Sequence, residues 1–322
     1  MDLIYANNHM EDIGVLLDYE FDLAFGSDEN DFELKVPSER HCCKAGYFIY
    51  IEGTEYGGII DGVSTKTADK EVTYFGRTWH GLLASKIITP AQGSLAISGT
   101  VADCLTSICN RVGLSDLFIV SDSSGAVVSD YKMEAYTDAY KAICDMLKSV
   151  EMRLHIEFHT PKVTLSAVPI VDYSKDEQFD SDLLDFKIKK VAHNVNHMIC
   201  VGAEQDDGSR LEVHLYANEN GEVSQEQTFF GLDENAVLYE RENTKKKDDL
   251  IKYGTEKLEK EWRKDEIDIN LDDESDIYGI GDIVGAYENV TETEVAAPVV
   301  KKIVTVKNGQ ITISYEIGDK NE

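Results

Sequence analysis

Two histidines stand at a spacing that could bind a metal ion. His193 and His197 are four residues apart, which on a helix would place both imidazoles on one face, as in many zinc sites. The residues between them are Asn194-Val195-Asn196, and a run typical of a β-strand follows, so no helix is expected here. No Glu follows His193, as a zinc protease would require. The sequence therefore predicts no metal site.

The thiols and carboxylates form no catalytic pattern either. The six cysteines include no CxxC pair and stand at positions 42, 43, 104, 109, 144 and 200. We interpret them as small buried hydrophobic residues, inert as nucleophiles, and expect no disulfide scaffold. Acidic residues are so abundant that some must lie close together by chance, which leaves a glycosidase pair without specific support. We expect no enzyme and no cofactor.

The charge argues against several classes of partner. The chain has 322 residues, and 31 Lys and Arg against 61 Asp and Glu give a formal net charge of −30. Nucleic acids and anionic membranes are not expected partners, because no excess of cations would release counterions from phosphate. Two interpretations stay open: solubility alone, or a surface that must repel polyanions.

No apolar run approaches the roughly eighteen residues that would span a membrane. The sequence Met1-Asp2-Leu3-Ile4-Tyr5 lacks the basic start and apolar stretch of a secretory signal. We therefore expect a chain that is made in a cytoplasm and stays or assembles there.

Residues 1–97 show the alternation of half-buried β-strands. Asp18-Tyr19-Glu20-Phe21-Asp22-Leu23 alternates strictly, which puts the carboxylates of Asp18, Glu20 and Asp22 on one face. Glycines typical of bulges or sharp corners interrupt later strands, at positions 57, 58, 62 and 76. We predict a β-barrel with one small helix.

Residues 98–172 change to a helical period. Val101, Leu105, Ile108 and Val112 share a face behind the capping residue Thr100. A second helix is predicted to open at Thr137, and a β-hairpin follows across Thr160-Pro161. We predict a compact α+β insert domain, with two amphipathic helices on a small sheet.

The β pattern returns in residues 173–242 and again in residues 266–322, and a long helix is predicted between them, over residues 243–265. Asn308-Gly309 is a strong signal for a two-residue hairpin. Because three strands cannot bury a core alone, the closing strands need partners from earlier in the chain. We predict a second β-barrel built from residues 173–242 and 266–322.

Three stretches together resemble a known family. They contain Gly57-Gly58, Asp61 and Gly76-Arg77 in the first, Asn196 and Gly202 in the second, and Gly281-Asp282 in the third. These motifs are similar to those of bacteriophage tail hub proteins, the baseplate hubs of siphophage tails, prophage tails and phage-tail-like bacteriocins. The resemblance covers most of the chain and is weakest in the middle insert. The motifs are structural, so they specify a fold better than an activity.

The resemblance implies a mainly β chain with two tube-like barrels flanking the α+β insert. Three such chains would form a homotrimeric ring with a pseudo-sixfold face toward the tail tube or distal tail protein. The spike would bind the other face, and the tape-measure protein would end inside. The implied role is structural rather than enzymatic, in the baseplate of a virion or tail-like particle assembled in a bacterial cytoplasm.

The acidic residues then suggest a mechanism. A tube that passes DNA or unfolded protein should not bind it, so we hypothesise that Asp18, Glu20 and Asp22 face the lumen. Such a row would repel phosphate over about a Debye length, ~8 Å at physiological salt. The hypothesis fails if these side chains face away from the lumen or are paired with Lys.

Two other classes of protein remain as alternatives. A peptidoglycan or glycan hydrolase of the tail would be expected to carry a further domain with its own catalytic motif, and the sequence shows none. A tail-associated glycan-binding protein would favour exposed aromatic clusters, whereas the tyrosines here mostly fall inside alternating strands.

Overall fold

The computed structural model describes residues 2–66, 68, 70–121, 123–175, 178–180, 186–189, 194–205, 208–262, 266–269, 271–273, 276–307 and 309–318. The chain divides into two compact units. The first combines Met1–Phe186 with Asp268–Gly318, and the second consists mainly of Lys187–Ile267.

Strands dominate the described residues, so the prediction of a mainly β chain is confirmed. In chain order the strands are β1 (Ile4–Ala6), β2 (Asp12–Val15), β3 (Glu20–Gly26), β4 (Asp31–Pro37), β5 (Phe48–Tyr50), β6 (Gly57–Lys66), β7 (Glu71–Thr78), β8 (Ala96–Thr100), β9 (Phe118–Val120), β10 (Val127–Lys132), β11 (Met152–His159), β12 (Lys162–Pro169), β13 (Gln178–Asp180), β14 (Phe186–Lys189), β15 (His197–Glu204), β16 (Arg210–Ala217), β17 (Val223–Ser224), β18 (Ala236–Glu240), β19 (Glu266–Ile269), β20 (Leu271–Asp273), β21 (Ile283–Glu288), β22 (Thr293–Lys307) and β23 (Gln310–Ile317). The α-helices are α1 (Trp79–Ala84), α2 (Val101–Val112), α3 (Ala139–Lys148) and α4 (Lys247–Trp262).

One large sheet organises the first unit. Its strands run in the order β13-β21-β22-β3-β4-β7-β6-β5-β1-β2, with β23 beside β22 and β20 beside β23. The described strands do not close into a barrel, so the two-barrel arrangement stays a prediction.

Alternation explains how β3 and β4 form this sheet. Phe21, Leu23, Phe32 and Leu34 are almost fully buried, whereas the residues between them on both strands are largely acidic and exposed. Side chains of a strand point alternately to opposite faces, so one face of the sheet packs on the core and the other meets solvent. The two strands form an antiparallel hairpin, with Phe21 paired to Leu34.

The closing strands β21, β22 and β23 pair in chain order, and β22 also pairs with an early strand. Lys307 pairs with Gln310 across the β22–β23 hairpin, which confirms that hairpin, although Asn308 of its turn lies outside the described residues. On its other side β22 pairs antiparallel with β3. That partner belongs to residues 1–97, while β13, from residues 173–242, pairs with β21. The sheet thus takes strands from both predicted barrels, and the predicted domain boundaries remain predictions.

The α+β region has the predicted helices. Thr100 caps α2 by accepting a hydrogen bond from the Asp103 amide at 3.1 Å, and all four predicted inward residues of this helix are buried. Asp138, rather than Thr137, caps α3. Both helices share a core with the β9, β11 and β12 sheet and with α1. Trp79 of α1 stacks on Phe158 of β11, with ring centroids 5.2 Å apart.

The second unit is a four-stranded sheet covered by one helix. The strand order is β17-β16-β15-β18, with β15 and β16 antiparallel and β15 and β18 parallel. Leu250 and Leu258 of α4 pack on the buried residues of β15 and β16, among them Cys200 and Leu215. The helix confirms the core of the predicted 243–265 segment, of which residues 263–265 lie outside the described residues.

Candidate assembly site

The solvent side of the large sheet is largely polar, with Phe75 as an exposed apolar residue on it, and we call this side the open face. It is carried by six neighbouring strands, β23, β22, β3, β4, β7 and β6. Two rows of directly opposed residues cross it, and these rows are Thr305–Asp22–Glu33–Phe75 and Lys307–Glu20–Lys35–Thr73. A largely polar surface of six strands, backed by a packed core, suits contact with other chains or with a solvent channel.

The predicted acidic row is only partly present on this face. Glu20 and Asp22 belong to β3 and point outward, as predicted. Asp18 precedes the strand and has a positive φ of 52°, a conformation that Asp tolerates and that ends the alternation. The prediction that Asp18 continues the strand is therefore wrong.

Cations of the same chain pair with two of the three carboxylates. Lys307 Nζ lies 3.1 Å from Glu20, and Arg40 lies 2.7 Å from Asp18. Asp22 instead accepts a hydrogen bond from Thr305 Oγ1 at 3.1 Å and stands directly opposite Glu33. Glu33 in turn forms an ion pair with Lys35 at 3.9 Å, so within the described residues Asp22 is the member of this group without an ion pair. The row of three free carboxylates hypothesised from the sequence is therefore not present, because Asp18 and Glu20 have cationic partners.

The glycines of the first motif allow close packing of β6 against β7. A Cβ atom on Gly58 would collide with the carbonyl oxygen of Arg77, and one on Gly76 would collide with that of Ile59. Gly57 lies at the start of β6, against β5. A bulge follows between Ile60 and Gly62, as the sequence predicts for this strand. These glycines are needed because the backbones leave no room for a side chain.

The charged pair of the same motif joins these two strands. Arg77 donates two hydrogen bonds to Asp61, from Nε at 2.8 Å and from Nη2 at 2.7 Å. The hydrogen bonds to Asp61 raise the pKa of Arg77. Both side chains are partly exposed, so the pair fixes geometry more than it adds stability.

Asp282 of the third motif ties the closing strands to the α+β region. Its carboxylate is fully buried and accepts hydrogen bonds from Arg153 Nε at 2.9 Å and from the amides of Val171 at 2.9 Å and Gly279 at 2.8 Å. Gly281 before it has a φ of +99°, a conformation that favours glycine. A buried carboxylate with this many hydrogen-bond donors is fixed in position, and its role is structural rather than reactive.

The second motif lies in the other unit and shapes a loop. The side chain of Asn196 donates to the carbonyl of Asp233 at 2.6 Å and accepts from the amide of Asn235 at 2.9 Å. Gly202 of β15 stands where a side chain would collide with the backbone of Thr244. Both residues therefore act on backbone geometry.

The sequence analysis missed a buried junction around Lys302, a residue of β22 that is 2% exposed. Its Nζ lies 2.7 Å from Glu55 and also forms an ion pair with Asp276. The rings of Tyr56 and Tyr315 stand 5.7 Å and 5.8 Å from the same nitrogen. Burial would lower the pKa of Lys302, but the two carboxylates outweigh it and raise that pKa. The sequence did contain a sign that Lys302 is buried, because it lies on the same face of β22 as the buried Val304 and Val306.

His80 completes the junction from α1. Its ring stacks on Phe25 at 4.1 Å, and its Nε2 lies 3.6 Å from Glu55. Burial lowers its pKa to about 4, although Glu55 opposes the effect. Its Nδ1 has no hydrogen-bond partner among the described residues. The imidazole is therefore neutral and part of the core.

The thiols are held in their protonated form. Burial raises the pKa of Cys109 and of Cys200 to about 11, which makes both poor nucleophiles at neutral pH. Within the described part of the chain, no three His, Cys, Asp or Glu side chains converge to hold a metal ion, and His193 lies outside that part. No described helix is long and apolar enough to cross a membrane.

The chain has the fold of bacteriophage tail proteins. A prophage MuSo2 43 kDa tail protein from Shewanella oneidensis is similar at a TM-score of 0.57, with 10% identity over 98% of both chains. A tail protein from Neisseria meningitidis MC58 is similar at a TM-score of 0.54, with 11% identity over 99% of this chain and 96% of that one. The prophage tail protein gp18 from Listeria monocytogenes EGD-e is similar at 0.54, with 12% identity over 100% and 96%. No protein-family model and no curated protein sequence matches the chain.

Proposed function

We propose that this chain is a structural component of the tail or baseplate of a phage or phage-tail-like particle. Within it, the chain acts as the hub that joins the tail tube to the spike, as a homotrimeric ring. The observation that carries the proposal is the extent of the fold similarity: three tail proteins align with at least 98% of the chain. Similarity over this extent includes both units and the insert, rather than one common domain.

The large sheet supplies a mechanical basis for such a role. Its open face is polar, and its buried side is fixed by the Lys302 junction and by Asp282. Charged groups buried with all partners in place tolerate little displacement, because any separation leaves a charge unpaired. We infer that the sheet forms a stiff wall of the ring, with the open face toward the lumen. The tail tube or distal tail protein, the spike and the tape-measure protein are the proposed neighbours.

The ring is tested by light scattering over a concentration series, with negative-stain class averages of the same sample. We expect threefold rings with a central hole, either from the chain alone or after co-expression with its spike or tube protein. A chain that stays monomeric alone, with the spike protein and with the tube protein would overturn the hub proposal. Glycan binding and hydrolysis would then be the activities to assay.

The lumen assignment is tested by reversing charge on the open face. Asp22→Lys combined with Glu33→Lys should create binding of single-stranded DNA by assembled rings, because it reverses two carboxylates that stand directly opposite each other on the open face. Glu219→Lys combined with Glu226→Lys, both at exposed positions of the other unit, makes the same change in charge; this matched control should leave DNA binding unchanged. Equal DNA binding by both variants would show that the open face does not line the channel.

A further inference from the structure

Two histidines of the second unit link two glutamates through a chain of hydrogen bonds. His197 Nε2 lies 2.8 Å from His214 Nδ1. The other ring nitrogens face carboxylates, with His197 Nδ1 2.6 Å from Glu234 and His214 Nε2 3.0 Å from Glu212. We call the series Glu234–His197–His214–Glu212 the histidine chain. Neither the motif residues nor the proposed assembly explains why these four side chains are linked.

The geometry of the two rings favours a shared proton over a metal ion. Their centroids are 5.0 Å apart, close to the 2.8 Å nitrogen separation plus the two distances from centroid to nitrogen. The nitrogens therefore face each other nearly head-on. Two imidazoles that bind one metal ion must instead direct their lone pairs at a third point, about 2.0–2.1 Å from each nitrogen for zinc.

Counting protons shows what the contacts require. An ionised carboxylate only accepts, so both outer contacts need an N–H on the histidine. The middle contact needs one further proton, on either ring. Two neutral imidazoles carry two protons between them, whereas the three contacts need three. A fourth proton would place two N–H groups face to face at 2.8 Å. With all three hydrogen bonds formed, the histidine chain therefore contains one imidazolium, shared between His197 and His214.

We propose that the histidine chain is a proton-sensitive joint, in which one proton taken up by the pair couples pH to the stability of the β17-β16-β15-β18 sheet. The pair then carries one positive charge between two carboxylates. Loss of the proton removes one of the three hydrogen bonds. The outer contact of His214 to Glu212 breaks first, because both side chains are partly exposed and water replaces the partner.

Among the described residues, the carboxylates in contact with the pair are Glu234 and Glu212. Arg210 of β16 and Glu240 of β18 lie further along the same face and pair with each other at 2.8 Å. Tyr216 of β16 stacks on His197 at 4.3 Å. The register partner of His197 on β18 is Ala236, and that of Tyr216 on β17 is Ser224; neither of these titrates. His197 itself is buried. Among the described residues, Glu212 and Glu234 are thus the charges that balance the shared proton.

The joint holds a loop that displays apolar side chains. Glu234 belongs to the segment 230–235, in which Phe230 is 65% exposed and Leu232 is 99% exposed. Asn196 holds the base of this segment through an amide that does not titrate. The contact of Glu234 to His197 is the attachment that depends on protons.

Side-chain nitrogen NMR of the full chain tests the sharing directly. We expect the resonances of His197 and His214 to titrate together, with one proton for the pair. Glu212→Gln should uncouple the two histidines, since its amide can accept from the ring without providing the balancing charge. Independent titration of the two rings in the unsubstituted chain would overturn the proposal.

Hydrogen exchange tests the link to stability. We compare opening constants of β15 and β16 amides in the unsubstituted chain and in His214→Gln, with β11 and β12 amides as the internal control. A linked proton predicts that the ratio of opening constants, unsubstituted over variant, rises between pH 6 and pH 8, because only the unsubstituted chain then loses the hydrogen bond that depends on the shared proton. A ratio independent of pH contradicts the joint. A stoichiometric response of both rings to Zn²⁺ that increases protection at pH 8 would show a metal site instead.

Discussion

Lys302 and Lys307 lie on the same strand and differ in burial. They are therefore a matched pair for measuring how much a lysine charge contributes to the free energy of unfolding. Lys302 is enclosed by Glu55, Asp276 and two tyrosine rings. Lys307 sits on the open face, where it pairs with Glu20 and its side chain is 60% exposed. The same chemical group therefore stands in two dielectric environments, and its effect on stability should differ accordingly.

Lys302→Met should lower the free energy of unfolding by about 3 kcal/mol, because it leaves Glu55 without its cation in a buried site. Lys307→Met should change it by less than about 1 kcal/mol, as expected for an exposed pair. Denaturant unfolding of both variants checks the prediction. Equal losses in the two variants would mean that the junction does not depend on its central charge.

His80 predicts a pH dependence with a definite sign. Its pKa is about 4 in the folded chain and 6.5 ordinarily, so the unfolded chain binds one more proton between these values. Stability from a neutral His80 is complete above pH 6.5 and is lost as the pH falls toward 4. Between pH 7 and pH 4.5 the unsubstituted chain should lose about 2 kcal/mol more than His80→Phe. Parallel pH curves for the two proteins would show that His80 is not held neutral.

At the scale of elements, β6 and β7 lie so close together that position 76 has no room for a side chain. Gly76→Ala should destabilise the chain by roughly 3 kcal/mol or more, because the new methyl meets the Ile59 carbonyl and the Phe32 ring. Gly125→Ala is the control, since its Cβ would lie in open space and only the φ of +69° is unfavourable, by about 1 kcal/mol. Thermal unfolding distinguishes them, and equal shifts would contradict close packing at Gly76.

Elements were predictable from sequence where local patterns decide them. The period-two strands β3 and β4 and the buried faces of α2 and α3 follow from alternation, helical period and capping. The pairing of β22 with β3 has no local signal, because it joins residues about as far apart as the chain allows. The Lys302 junction was missed for the same reason: its partners Glu55 and Asp276 come from distant segments.

The whole molecule carries a net charge of −30, which opposes the association of identical copies. Screening reduces that repulsion, since the Debye length falls from ~30 Å at 0.01 M salt to ~8 Å at 0.15 M. If the ring forms as proposed, sedimentation should show more trimer at 0.3 M NaCl than at 0.02 M. A fall in trimer with added salt would indicate that ion pairs between copies, rather than apolar or backbone contacts, hold the ring.

The pairing of β3 with β22 also fixes when the sheet can be completed. Lys307 and Glu20 are 287 residues apart in the chain, so during synthesis β3 is exposed long before its neighbour exists. Contacts of such high sequence separation form late and slowly, and an unpaired strand edge can associate with the wrong chain in the meantime. A product truncated before β22 would lack β22 and β23, two of the six strands of the open face. Only chains translated through β22 can present the finished face, so if the ring forms as proposed, a truncated copy cannot supply its share of the wall.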